Sequence, residues 1–188
     1  MGTTTTVERE VKLSFDSADS ARRAVLASGA IPLRGRRLQE DALLDTADRS
    51  LCDRACALRI RMESGQGRIT FKGPLQESVM KLRDELETIV GDGILLLRIF
   101  EELGFTVWFR CEKYREEFSH EDVIVAIDET PVGVFVEIEG SERGIAATAA
   151  AMGRGPDDYI LDSYRGLFLT HREARGLTGT DMVFDHPA

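Results

Sequence analysis

The sequence predicts an α+β fold of about eight strands in antiparallel pairing, with helices in the connections and at the C-terminus. Three observations carry this expectation. Strand-like segments follow one another through short turns, which favours antiparallel pairing. Helix-like segments fall in the connections and near the C-terminal end. The strands also share one pattern, charge on every second residue, with acids beside acids and bases beside bases.

The first strand spans 7–15 (VEREVKLSF). Successive strand residues point to opposite faces, so Glu8, Glu10 and Lys12 share one face. The following DSADSARRAVLASG reads as a helix. Asp16 or Ser17 can cap it, and Gly29 stands where a helix ends. Residues 37–46 (RLQEDALLDT) read as a strand running into the turn-like DTADRSL. Residues 56–63 (CALRIRME) and 67–73 (GRITFKG) form a hairpin around Ser64-Gly65-Gln66-Gly67, with Arg59 and Arg61 on one face of ALRIR and Thr70 and Lys72 paired in ITFKG. Residues 79–90 fit either a strand or a helix; if extended, they align Lys81, Arg83, Glu85 and Glu87. Helix spacing spans 92–104 and stops at a glycine. Strands follow at 105–118, 122–129 and 132–140, aligning Lys113 with Arg115 and Glu137 with Glu139. Helices are expected over 144–152 and 163–175. The tail after Gly176 carries no clear signal. The whole is read as one domain over 1–188, with its core at about 7–169 and a C-terminal tail at 176–188.

Bulk properties narrow the classes. The chain has 188 residues, 43% hydrophobic and 30% charged, enough for a sizeable core. A formal net charge of -9 disfavours nucleic acid as a partner. No apolar run approaches the ~18 residues of a membrane span, and MGTTTTVERE has no signal-peptide core. A cytoplasmic monomer or homodimer is expected. Gly2 and Thr6 form a loose myristoylation match, for which a polar, unstructured start is the stronger reading. Three cysteines, Cys52, Cys56 and Cys111, read as reduced thiols. His120, His171 and His186 are scattered outside any ligand spacing and receive no catalytic role.

A solvated outer face explains charge alternation on any one strand. It explains the set less well, because like charges two apart repel unless something neutralises them. If the strands close into a barrel, one face becomes interior. An interior of paired acids and bases cannot be a dry core, since unpaired buried charge is too costly. It can be a wet channel that holds a polyanion and hard divalent cations. Carboxylates suit Mg²⁺ or Mn²⁺, and arginine and lysine suit phosphate.

In family order, these residues resemble the CYTH family, the triphosphate tunnel metalloenzymes. E-R-E-V-K resembles its E-x-E-x-K signature. QEDALLDTADRSL resembles its second strand and D-T turn, ALRIR its L-R-x-R, and ITFKGP its T-x-K-G-P. KLRDELE, EKYREEF, VAIDE with FVEIEG, and DSYRGLF resemble the later motifs. The match runs from about Val7 to Leu169. The resemblance implies an eight-stranded antiparallel β-tunnel. It implies metal binding by Glu8, Glu10, Asp128, Glu137 and Glu139, and triphosphate binding by Lys12, Arg59, Arg61, Lys72, Arg83, Lys113 and Arg115. Lys12, Glu8 and Glu10 are then the expected catalytic residues, with Mg²⁺ or Mn²⁺ as cofactor. Where some hydrolases of the family carry a lysine beside the Ser-Tyr motif, this chain has Asp162 before Ser163-Tyr164.

The implied activity is metal-dependent hydrolysis of a small-molecule triphosphate such as tripolyphosphate or thiamine triphosphate, with an alkaline optimum. The second arginine of ALRIR favours this over the alternative, a class IV-type adenylate cyclase. A non-catalytic polyphosphate- or nucleotide-binding module would not need the acids, and an inert barrel scaffold would leave the like-charged pairs unexplained. Glu85 and Glu87 fit either a metal-related role or pairing with Arg59 or Arg83. Trp108 and Tyr114 are the candidates to stack on a base or thiazolium ring, with packing the stronger reading for Trp108.

Overall fold

The computed structural model describes residues 6–185. Its strands are β1 (Thr6–Phe15), β2 (Ile31–Thr46), β3 (Ala57–Glu63), β4 (Gln66–Lys72), β5 (Lys81–Val90), β6 (Phe105–His120), β7 (Val123–Thr130) and β8 (Gly133–Gly140). They close into a barrel in the order β1-β5-β4-β3-β2-β6-β7-β8, and every neighbouring pair is antiparallel. Residues 79–90, ambiguous in sequence, settle as strand because β5 completes the ring between β1 and β4.

Helices α1 (Ala18–Ala27), α2 (Ser50–Asp53), α3 (Gly93–Glu102), α4 (Glu142–Ala151) and α5 (Tyr164–Arg175) occupy the connections and the C-terminal region. Side-chain caps start four of them. Ser17, Asp92, Ser141 and Ser163 accept hydrogen bonds from backbone N–H groups of the first turns of α1, α3, α4 and α5. Gly176, at a φ of 64°, ends α5 in the left-handed conformation that glycine adopts without steric cost. The DTADRSL turn holds the short α2. The Asp45 carboxylate organises it, accepting from the N–H groups of Thr46, Leu51 and Cys52 at 2.8, 2.9 and 2.9 Å.

The apolar residues of the alternating strands point away from the barrel axis. Val11, Leu13, Val125, Ile127, Val136 and Ile138 pack with Ala21 and Val25 of α1 and with Ile145 and Ala149 of α4. Leu44, Leu58 and Ile60 pack against Leu96, Leu97 and Phe100 of α3. A third cluster joins Phe109 and Cys111 to Phe168 of α5 and to Met182. The first two cores lie between wall and helices, so most of the hydrophobic burial leaves the lumen unfilled, whereas Phe109 and Cys111 of the third also line the cavity.

Three boundaries differ from the sequence reading. β2 begins at Ile31 rather than at 37, because Pro32 and Gly35 break its alternation while it still pairs with β6 through register shifts. A 3₁₀ turn forms at Pro156–Asp158. The tail beyond Gly176 docks on the barrel. Met182 is fully buried, and its backbone exchanges hydrogen bonds with Arg110 and Glu112 at 2.9 and 2.8 Å. It covers the stretch of β6 beyond the β7 pairing, which stops at Tyr114. No helix among the described residues is long and apolar enough to cross a membrane. Gly2 of the myristoylation match and His186 lie outside the described residues.

Candidate functional site

The inward residues of the strands enclose a cavity of about 1180 Å³. Glu8, Glu10, Lys12, Arg59, Arg61, Lys72, Arg83, Lys113, Arg115, Glu137 and Glu139 all line it. Asp128 alone of the expected set does not reach the surface: it is fully buried behind Lys113 and Arg115. Strand alternation thus brings the sequence-assigned acids and bases to one lumen.

On the β1 side, Lys12 lies 3.0 Å from Glu10 and 3.2 Å from Glu137. Glu10 also takes Lys81, and Glu8 takes Lys72 and, at 2.9 Å, Arg83. On the β6 side, Asp128 accepts from Lys113 at 2.8 Å, from Arg115 Nε at 2.6 Å and from the Tyr164 hydroxyl at 2.6 Å, and Arg115 reaches Glu137. On the β3 wall, Arg61 grips Asp41 with two bonds of 2.6 and 2.7 Å, while Arg59 donates to Thr70 at 3.0 Å. Glu87 pairs with Arg68 and Arg59, and Glu85 pairs with Lys72 at 2.9 Å. The pairing expected of Glu87 with Arg59 is thus present.

The charges set each other's protonation. Burial pushes the Glu10 carboxyl up, but Lys12, Lys81 and Lys72 overcome it and hold it well below the ordinary value. Burial likewise opposes ionisation of Glu137, and Lys113 and Arg115 overcome it. Burial pushes Arg59 down, and neighbouring Arg61 adds to the push. The Arg59 Nε is buried with no hydrogen-bond partner among the described residues. Burial pushes Lys81 down to about 8 against the pull of Glu10. Glu139 behaves in the opposite sense. Desolvation, then Glu8 and Glu10, push its carboxyl up to about 7, although it faces water in the lumen. It stands opposite Glu10 in the β1–β8 register.

Three site residues were missed as such in the sequence. Asp41 shares a face of β2 with Gln39 and Leu43, and the same parity rule that found Arg61 would have found it. Lys81 was aligned with Arg83 but given no role; it is buried against Glu10. Tyr164 comes from the first turn of α5, outside any strand pattern. Its ring lies under Lys12 and Lys113, 5.2 and 4.7 Å from the centroid. Asp162 lies exposed on the cavity lining beside it.

A family model described as the CYTH domain matches residues 6–152. The chain belongs to the CYTH domain family. It is 32% identical over 136 residues to a Methanocaldococcus jannaschii protein named "Putative adenylate cyclase MJ0240", covering 72% of this chain and 77% of that protein. Among solved structures it resembles the PH1012 protein from Pyrococcus horikoshii OT3, with a TM-score of 0.72 and 25% identity, covering 85% of this chain and 98% of the other. It also resembles the Hippeastrum protein "Putative adenylyl cyclase HpAC1", described as revealing a dominant triphosphatase activity. There the TM-score is 0.61 and the identity 19%, covering 89% of this chain and 96% of the other. The last is a likeness of fold. Among the described residues of this CYTH chain, no three acidic, histidine or cysteine side chains converge into a ready-made metal cage. Glu8, Glu10, Asp128 and Glu137 each pair with a base of the lumen.

Proposed function

We propose that the barrel lumen is the active site of a divalent-metal-dependent hydrolase of triphosphates, with inorganic tripolyphosphate and thiamine triphosphate as the substrate types. The observation that carries the reading is the convergence of Lys12, Arg59, Arg61, Lys72, Arg83, Lys113 and Arg115 on one cavity with Glu8, Glu10, Glu137 and Glu139. A barrel built only for stability has no use for it, because buried ion pairs roughly break even against apolar packing.

The ion pairs suggest how the site loads. A triphosphate offers the bases stronger partners than single carboxylates do, and arginine forks match phosphate oxygens two at a time. Arg59, with its unpartnered Nε and its repulsion from Arg61, is poised for such an anion. As the bases turn to phosphate, Glu8, Glu10, Glu137 and Glu139 become available to a cation, with Asp128, buried behind Lys113 and Arg115 and bound by Tyr164, in reserve behind them. Their hard oxygen donors fit Mg²⁺ or Mn²⁺, and the mutual repulsion of Glu8, Glu10 and Glu139 favours a positive charge among them. When bound, such a cation neutralises charge on phosphate oxygens and lowers the pKa of water. Lys12, fixed between Glu10 and Glu137, stabilises charge as it develops, and the wall bases hold the chain of phosphates in line.

One observation favours a second reading. The relative that is 32% identical carries an adenylate cyclase name. Attack by the ribose 3′-hydroxyl on the α-phosphate of ATP needs the same charges with the substrate placed differently. Purified protein incubated with Mg²⁺ or Mn²⁺ and tripolyphosphate, thiamine triphosphate or ATP separates the two. Orthophosphate without cyclic AMP supports the hydrolase. Pyrophosphate with cyclic AMP from ATP replaces it with the cyclase.

A further inference from the structure

Trp108 is the single tryptophan of the chain and lies half-buried on the cavity lining. Strand alternation would send it and Phe109 to opposite faces. The β2–β6 register, however, shifts between Leu43 and Leu44, and both residues turn to the cavity. Bulges of this kind re-aim side chains.

Two guanidinium groups face the indole ring, Arg49 at 5.6 Å and Arg165 at 4.7 Å from its centroid. Arg49 is exposed and held at a φ of 60° at the start of α2; Arg165 belongs to the first turn of α5. Among the described residues, neither has the carboxylate pairing that fixes the inner arginines on Asp41 and Asp128. The indole packs beside Phe109, 6.1 Å between ring centroids, yet stays half-exposed, whereas Phe109 is buried 5.8 Å from Phe168 and Tyr164 is bound to Asp128. Tyr114, the second stacking candidate in the sequence, lies off the cavity against Arg36 and Phe184.

We propose that Trp108, Arg49 and Arg165 form a subsite for a planar heteroaromatic ring carried by the triphosphate, as in a nucleoside triphosphate or thiamine triphosphate. The inference rests on reading the lumen as a triphosphate site, and it narrows the substrate class: an inorganic polyphosphate leaves this surface unused. The indole supplies a π-face, and a flexible guanidinium can close over the stacked ring while its donors reach ring or ribose oxygens. The subsite lies at the barrel end where Lys72 and Ala57 pair, next to the inner bases.

The lone tryptophan makes the test direct. Protein free of divalent metal is titrated with ATP, thiamine triphosphate and tripolyphosphate while indole fluorescence is followed, and affinities are measured by calorimetry. A ring-bearing ligand should quench the indole, and tripolyphosphate should compete with it without quenching. Which of the two organic ligands quenches identifies the ring. In Trp108→Ala the affinity ratio of that ligand over tripolyphosphate should fall about tenfold, the size of one lost base–aromatic stack. Quenching by no ring-bearing ligand, or an unchanged ratio in the variant, overturns the subsite. Failure of tripolyphosphate itself to bind the wild type overturns the lumen reading beneath it.

Discussion

Asp41 and Arg61 face each other in register across β2 and β3 and share two hydrogen bonds of 2.6 and 2.7 Å. Arg59 stands 3.8 Å from the same carboxylate. Burial pushes the Asp41 carboxyl up, yet Arg61 and Arg59 hold it well below its ordinary value. This acid therefore anchors Arg61 in the lumen wall and adds to the hold of Glu87 and Thr70 on Arg59.

Asp41→Ala should leave the Arg61 guanidinium without its carboxylate and Arg59 with only Glu87, at 3.6 Å, and Thr70. Breaking a buried pair by removing one partner costs about 3 kcal/mol or more. A polyanion that binds the native state should return part of this through mass action. Thermal melts should show a large loss of stability in the variant and a greater rescue by tripolyphosphate than in the wild type. Equal shifts in the two proteins would place no anion at these arginines.

Acid should unfold the protein partly through Glu63, which bonds Gln39 and the guanidinium groups of Arg37 and Arg34. Burial opposes its ionisation, but Gln39 and Arg37 bring its carboxyl down from 4.5 to about 2. A carboxyl depressed in the folded state contributes stability above its unfolded value and loses it as pH falls through the folded one. This contribution is complete above about 4.5 and disappears toward about 2. Unfolding midpoints measured down this range should fall less steeply in Glu63→Gln than in the wild type.

Gly67 and Gly93 let β4 meet the start of α3 backbone to backbone. A methyl carbon on Gly67 would lie 2.5 Å from the Gly93 Cα. Gly67→Ala should cost about 1–3 kcal/mol by overpacking. Gly91→Ala, where nothing lies within 4 Å, is the matched control and should melt close to the wild type.

Much of the barrel was legible because one rule, alternation, sets both wall and lumen. It fixed the faces of Glu8, Arg59, Lys113 and Glu137 from sequence alone. It failed where geometry breaks it. Pro32 and Gly35 hid the first part of β2, and the β6 bulge hid the direction of Trp108. Gly67 read as part of a flexible loop, although its lack of a side chain serves contact with α3. Tyr164 was seen in the Ser163-Tyr164 motif but given no place in the site, and Met182 was passed over, because helix and tail residues reach the wall through tertiary packing, which no local period encodes. Asp41 was within reach of the rule and was passed over because a lone acid between Gln39 and Leu43 forms no like-charged pair.

The central claim is that the lumen acids serve metal-assisted chemistry on a triphosphate held by the bases. Glu137→Gln combined with Glu139→Gln tests it most directly, since the lumen bases, Trp108 and the strand register are kept. With Mg²⁺ or Mn²⁺ saturating the wild type, tripolyphosphate turnover by the double variant should drop by at least about tenfold while tripolyphosphate still binds. Unchanged turnover would contradict the claim.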